Sequence, residues 1–280
     1  MRIHRRALVL GPLVLACTVA LGGAQAPVAP APVTLTPEQM ATFLQTAKIV
    51  ARKVTEKGVT KPIQATLSDG TITHDAQIQK VNEARAIFEA GKASEVGFKD
   101  SYKFNIAGYR LAQILGLPNV PMSVERRVDR SPAALTWWVD AAMDESGRVK
   151  LKTVGSTQAE RASKYLNVMY VWDELIQNRD RNAGNMLWTG DWMLWMIDHT
   201  RAFRTSDRLL KPEQLTRCDR AFLDAMRRLT PQDMEEVRRG GYLTKDEAAA
   251  VLKRRDRIVK HFEDLIATRG EAAVLFTLES

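Results

Sequence analysis

The sequence predicts an α+β fold in two lobes, a β-rich first half and a helical second half, from three observations. Residues 48 to 82 contain three β-compatible runs, KIVARKV, KPIQATL and THDAQIQKV, broken by Lys57-Gly58 and by the hairpin signal Ser68-Asp69-Gly70. Beyond residue 156 the pattern becomes helical. Between two helical stretches lies a polar loop, Asn178 to Asn185 (NRDRNAGN), followed by two short apolar runs.

Taken in order, residues 1 to 26 read as an export signal: basic RIHRR, an apolar run over 7 to 21, and small residues at Ala24-Gln25-Ala26. This predicts an exported, periplasmic or secreted protein; a faint lipoprotein-like Val14-Leu15-Ala16-Cys17 leaves a lipid anchor open. Residues 27 to 35 are a Pro/Ala-rich linker, residues 36 to 140 the first lobe and residues 141 to 280 the second. Thr36-Pro37-Glu38-Gln39 is a capping-box start for a short helix. After the three strands, residues 101 to 115 form an amphipathic helix ending at Gly116, and 120 to 128 and 134 to 139 form two more strands. Helices are then expected over 157 to 177, 212 to 228, 231 to 238 and 245 to 268.

The chain is 45% hydrophobic and 26% charged, which excludes fibrous, disordered and membrane-embedded classes. Its formal charge of +8 favours anionic partners. The basic residues are scattered, as in Arg227-Arg228, Arg238-Arg239 and Lys253-Arg254-Arg255, and read as solvated helical faces, so nucleic acid is not expected as a partner. Cys17 lies in the export segment, which leaves Cys218 as a buried structural thiol.

The chemistry is concentrated after residue 177. Kinase-type phosphoryl transfer needs a carboxylate to orient and deprotonate the acceptor, plus an amide and a second carboxylate to hold metal on nucleotide phosphates. Asp180 precedes Asn185 by five positions, and Ile197-Asp198-His199 follows after two apolar runs joined by Thr189-Gly190-Asp191. A plain polar turn uses the same residue types and is the competing reading. His199 is read as a hydrogen-bonding neighbour of Asp198, and Trp188, Trp192 and Trp195 as core residues.

These residues resemble the protein-kinase-like superfamily, in the branch of phosphoinositide kinases, HipA-type kinases and secretory-pathway protein kinases, whose loop is written D-R-x-x-x-N and whose metal site is I-D-x. The resemblance implies Asp180 as base, Asn185 and Asp198 as metal ligands, and Arg181 as a residue steadying the loop or the phosphates. It implies ATP with Mg2+ or Mn2+ as cofactors and a hydroxyl of a protein, lipid or small molecule as acceptor. Lys80, sharing a strand face with Ala76 and Ile78, is the candidate phosphate grip, or else an edge lysine reaching solvent; Ile78 is then expected to line the adenine pocket. Gly58 and Lys61 lie in a turn that either covers phosphates or simply joins two strands. The helix carboxylate expected to pair with the strand lysine is absent from Tyr102 to Tyr109, which holds Asn105, leaving Asp100 or Glu95 as substitutes. A catalytically inactive kinase-like scaffold and a nucleotidyl transferase on the same fold therefore stand as alternatives.

Overall fold

A computed structural model describes residues 35–54, 63–90, 93–140 and 142–278, and of 88–90 and 93–96 the backbone alone. The export segment, the linker up to residue 34, Gly58 and Lys61, and the side chain of Glu95 lie outside the described residues.

The first helix, α1 (Pro37–Thr46), starts with the capping box: Thr36 Oγ1 accepts from Gln39 N, and Gln39 Oε1 accepts from Thr36 N at 2.8 Å. Strands β1 (Lys48–Val54), β2 (Ile63–Ser68) and β3 (Thr73–Gln79) follow as an antiparallel series. The Ser68-Asp69-Gly70 turn is closed by Asp69 Oδ1, which accepts from Thr71 N and Ile72 N at 2.8 Å each. A hairpin, β4 (Asn82–Ala90) and β5 (Ala93–Ser101), then pairs only with itself among the described strands. It precedes α2 (Lys103–Ile114) and the hairpin of β6 (Ser123–Val128) and β7 (Ser131–Trp137). Strand β7 pairs back with β3, giving the sheet order β1-β2-β3-β7-β6.

Strand alternation gives this sheet two different faces. Ala65, Leu67, Ala76, Ile78, Ala133 and Leu135 form one core with Phe43 and Leu44 of α1. Arg126 fixes α1 there by donating from Nη1 to the carbonyls of Leu44 and Ala47, at 3.1 and 2.7 Å. These are orphan acceptors at a helix C-terminus, so the guanidinium satisfies them and suits the helix dipole. On the other face Ala134 packs with Tyr102 and Ile106 beside α2.

The helical half begins with the short β8 (Met143–Asp144) and α3 (Glu145–Arg148), then α4 (Ser156–Ile176), the hairpin β9 (Met186–Trp188) and β10 (Leu194–Met196), and β11 (Cys218–Asp219). Helices α5 (Arg220–Arg228), α6 (Pro231–Arg238), α7 (Lys245–Arg269) and α8 (Glu271–Val274) follow, and β12 (Leu275–Phe276) pairs with β11. The expected helix over 212 to 228 therefore starts only at Arg220, because Asp219 caps it by accepting from Phe222 N at 3.0 Å. The largest core joins α2, α4, β9, β10, α5 and α7, with Trp172, Trp188, Phe203, Phe222 and Phe262 at its centre. Helix α2 thus contributes to this core as well as to the sheet's second face. Cys218 is a buried free thiol.

The Lys253-Arg254-Arg255 run is not wholly a solvated face: Lys253 is exposed, but Arg254 points inward. Arg254 is 0% exposed; its Nε donates to Leu175 O at 2.8 Å, and its Nη1 to Arg204 O and Ser206 O at 2.9 and 2.5 Å. Periodicity could not reveal this, because the acceptors come from segments 48 to 79 residues away in sequence.

Candidate active site

Helix α4 stops at Gln177, whose left-handed φ of 50° turns the chain out of the helix. Asn178 Nδ2 donates to Asp173 Oδ1 at 3.1 Å, and Asn178 Oδ1 accepts from Asp180 N at 3.1 Å, closing a tight turn that presents Asp180. Asn182 Oδ1 accepts from Gly184 N at 2.9 Å and starts one 3-10 turn, Ala183–Asn185. Asn185 Nδ2 then reaches back to Asp180 O at 2.9 Å, while Ile197 N donates to Asn185 O at 3.2 Å. The β9–β10 hairpin thereby brings Asp198 back beside the loop.

Arg181 locks this arrangement. Its Nε and Nη2 donate to Asp173 Oδ2 and Oδ1, both at 2.9 Å, and Nη1 donates to Asn185 O and Ile197 O at 2.7 and 2.8 Å. Nη2 also lies 3.3 Å from His199 Nε2. A guanidinium has five N–H groups in a rigid fork, and four of them are engaged by Asp173 and the two backbone carbonyls. Arg181 therefore steadies the loop.

His199 sits on the same device. Its Nε2 accepts from Trp172 Nε1 at 3.0 Å, which fixes the neutral ring with its proton on Nδ1. Burial first, and the Arg181 charge second, hold its pKa well below the ordinary histidine value. Asn105 Oδ1 accepts from His199 N at 2.7 Å, and Gly108 leaves room for the ring: a Cβ there would meet His199 Cγ at 3.4 Å. The helix position that lacks an acid thus anchors the segment behind Asp198.

Asp198 takes a left-handed φ of 54°, and its Oδ1 accepts from Thr200 Oγ1 at 2.9 Å and Thr200 N at 3.4 Å. Burial raises its pKa, opposed by these bonds, and the Asp180 charge raises it further. Asp100, at the end of β5, belongs to the same neighbourhood. Burial raises its pKa too, a hydrogen bond from Thr200 opposes the rise, and Asp198 and Asp180 add to it. Ser101 N donates to Thr200 O at 2.8 Å, tying β5 to the strand end.

Asp180, Asn185, Asp198 and Arg181 are therefore brought together, whereas Lys80 and Ile78 are not. Ile78 is 2% exposed inside the core beneath α1, so it cannot line a cleft on the α2 side. Lys80 lies just past the end of β3 and its Nζ pairs with Asp129 Oδ2 at 2.9 Å, beside Arg52 at 2.7 Å on the same carboxylate. These two bonds hold Asp129 well below the usual carboxylate range. The residue pointing to the α2 side is Gln79, paired in register with Ala134, and Asp100 serves Thr200 rather than Lys80.

The residues missed in the sequence, Asp173, Thr200 and Asn105, all act on backbone or on other side chains of the loop. Asp173 did leave a signal, since a carboxylate in the last turn of a helix opposes the dipole and calls for a cationic partner. The donor set suits a divalent cation: Asp198 is a hard oxygen ligand, Asn185 keeps its amide oxygen once Nδ2 is engaged, and Asp100 Oδ1 is buried without a hydrogen-bond partner. A cleft of about 400 Å3 opens beside Arg179, lined also by Arg85, Phe98, Phe203 and Arg204. Another hollow of that volume, beside Arg257 and His261, shares no residue with it.

No protein-family model matches the sequence, and no curated protein does. Solved structures do match. The structure of hydra Fam20 with sugar superposes with a TM-score of 0.64 at 14% identity, covering 86% of this chain and 92% of that one. The Golgi casein kinase gives 0.61 at 15% identity, covering 85% of this chain and 78% of its own; a second structure of it, with Mn/ADP bound, gives the same values. The chain has a protein-kinase-like fold, with a β-rich N-terminal lobe and a helical C-terminal lobe, of the form shared by hydra Fam20 and the Golgi casein kinase.

Proposed function

We propose that this protein is an exported kinase-type phosphotransferase, with ATP as donor, Mg2+ or Mn2+ as metal, and a hydroxyl of a protein, lipid or small molecule as acceptor. The observation that carries the reading is the hydrogen-bonded unit of Asp180, Asn185 and the Asp198 strand end, built around Arg181. In this reading Asp180 accepts the acceptor's hydroxyl proton as its oxygen bonds to the γ-phosphorus, and the bond to the bridging oxygen breaks to release ADP. A divalent cation held by Asn185 and Asp198 would neutralise charge on the phosphates. The Golgi casein kinase, solved with Mn/ADP, supports the choice of cofactor.

One observation favours a second reading, an inactive scaffold that keeps the fold: β3 directs Gln79, not a lysine, toward α2, and Lys80 is held by Asp129. The test is thermal shift of the purified protein with Mg-ATP and Mn-ATP, alongside Asp198→Ala and Asp180→Ala. A shift that vanishes in Asp198→Ala and persists in Asp180→Ala, with label transferred from γ-labelled ATP by the wild type alone, is expected. Absence of shift and transfer in every protein favours the scaffold, and transfer from α-labelled but not γ-labelled ATP identifies nucleotidyl transfer.

A further inference from the structure

Helix α7 and the segment that follows the Asp198 strand end enclose a hollow of about 400 Å3 that the proposed chemistry does not use. Arg257, Lys260, His261 and Asp264 line it from α7, at positions i, i+3, i+4 and i+7, which lie on one face of a helix. Arg208, Leu209 and Pro212 line it from the facing segment. Arginine and lysine thus outnumber the one lining carboxylate, Asp264.

The facing segment is pinned from beneath. Glu174, 5% exposed, accepts from Leu210 N and Lys211 N at 2.6 Å each, and Gln177 Nε2 donates to Arg208 O at 2.7 Å. His261 Nε2 lies 2.7 Å from Leu215 O; a carbonyl only accepts, so Nε2 carries the proton and Nδ1 is left over. The backbone of Arg208 is therefore held, while its exposed guanidinium has no hydrogen-bond or ion-pair partner among the described residues. Ordering the backbone in advance lowers what a ligand must spend on binding. The other two cations are only lightly committed: Arg257 Nη2 meets Asp207 at 2.7 Å and Lys260 Nζ meets Asp264 at 3.0 Å, and all four side chains are exposed. Exposed pairs of this kind contribute little and yield to a more highly charged anion.

We infer that this hollow binds a phosphomonoester, a phosphate group carried on an organic body. Such a group brings close to two negative charges and three acceptor oxygens, which suit the planar fork of Arg208 together with Arg257 and Lys260. A carboxylate brings one charge, and Asp207 and Asp264 already supply that to Arg257 and Lys260. The hollow is larger than a phosphate ion needs, and Leu209 and Pro212 give the rest of its wall an apolar surface for the body. His261 Nδ1 is the polar group left to orient it. The site shares no residue with the cleft beside Arg179, so the inference does not rest on the kinase reading.

The experiment is isothermal titration calorimetry of the full chain, without nucleotide or metal, against phosphoserine, serine and inorganic phosphate. The proteins are the wild type, Arg208→Ala, Lys260→Ala, Asp198→Ala and Lys150→Ala, the last removing one exposed charge elsewhere. One phosphoserine per wild-type chain is expected, bound more tightly than phosphate, with serine giving no heat of binding. Its dissociation constant should rise about tenfold or more in Arg208→Ala, by less in Lys260→Ala, and stay unchanged in Lys150→Ala and Asp198→Ala. Thermal melts verify that each variant is folded. Phosphoserine bound no better than serine overturns the inference, as does an Arg208→Ala protein that binds like the wild type. Inorganic phosphate bound as tightly as phosphoserine overturns it too, since Leu209 and Pro212 would then add nothing. Binding lost in Asp198→Ala and kept in Arg208→Ala moves the phosphate to the Asp180 loop and overturns it as well. A failed nucleotide shift leaves each of these outcomes as it stands.

Discussion

The helical half and the sheet are built to different standards. On the helical side, Arg181 donates to both carboxylate oxygens of Asp173 and to the carbonyls of Asn185 and Ile197, and Asp180, Asn185 and Asp198 hang from that one side chain and its neighbours. On the sheet side, the strand that could supply a phosphate-gripping lysine gives its lysine to Asp129 and faces α2 with Gln79. The difference teaches that the loop half of a kinase-like fold can be tightly specified by hydrogen bonds while the strand lysine is committed elsewhere. Phosphoryl transfer with a divalent cation is compatible with that division of labour, because a cation and a lysine neutralise the same phosphate charge.

The largest expected effect breaks the better-built side. Arg181→Met leaves Asp173 charged and half-buried without its partner, and loss of about 3–5 kcal/mol in chemical denaturation is expected, together with loss of any nucleotide shift. Arg181→Lys is not a rescue, since an ammonium cannot span Asp173, Asn185 O, Ile197 O and His199 at once.

A smaller effect probes the wall that α2 presents to His199. Gly108→Leu overpacks the ring and is expected to cost about 1–3 kcal/mol by urea denaturation. Gly108→Ala, whose Cβ would meet the ring at ordinary contact distance, is expected to be neutral or stabilising by up to about 1 kcal/mol.

Asp100→Asn is expected to act in the opposite direction. Burial raises the folded carboxyl's pKa, so the fold binds its proton more tightly than the unfolded chain, and ionisation weakens the fold as pH rises through that raised value. Removing the charge in metal-free buffer at neutral pH should gain about 1 kcal/mol in denaturant melts, and the gain should fade as pH falls toward about 3.9, the unfolded Asp value. The smallest effect belongs to the sheet side: Lys80→Met should leave the nucleotide shift of the wild type intact, because Lys80 is occupied with Asp129. A lost shift would show that the pair opens and that Lys80 reaches the phosphates.

What the sequence disclosed about this site was local. Asn178 to Asn185 and Ile197 to His199 are legible because a capped turn, a 3-10 turn and a short hairpin fix them over twenty residues. The orientation of Lys80 was not, since strand alternation states only that Ala76, Ile78 and Lys80 share a face, and α1 and the turn at Asp129 decide where that face looks. The β4–β5 hairpin escaped for another reason. NEARAIFEA and ASEVGFKDS mix alanine and glutamate with few β-branched residues, and residues 82 to 87 are exposed, so no core face imposes alternation. Asp100, at the hairpin's end, was legible as a carboxylate near the site, but its tie to Thr200 depends on how β5 docks.

The buried Arg254 has a consequence for the order in which the molecule is completed. It is the carbonyls of Leu175, Arg204 and Ser206 that hold this guanidinium, and they flank the Asn178–Asn185 loop on one side and the segment after Asp198 on the other. A nascent chain emerges from its N-terminus, so every residue of the proposed chemistry is synthesised before α7 exists to brace it. The site is therefore finished late, by a helix that contributes no ligand to it, and a chain shortened ahead of Arg254 would carry the whole motif without the strut that sets it.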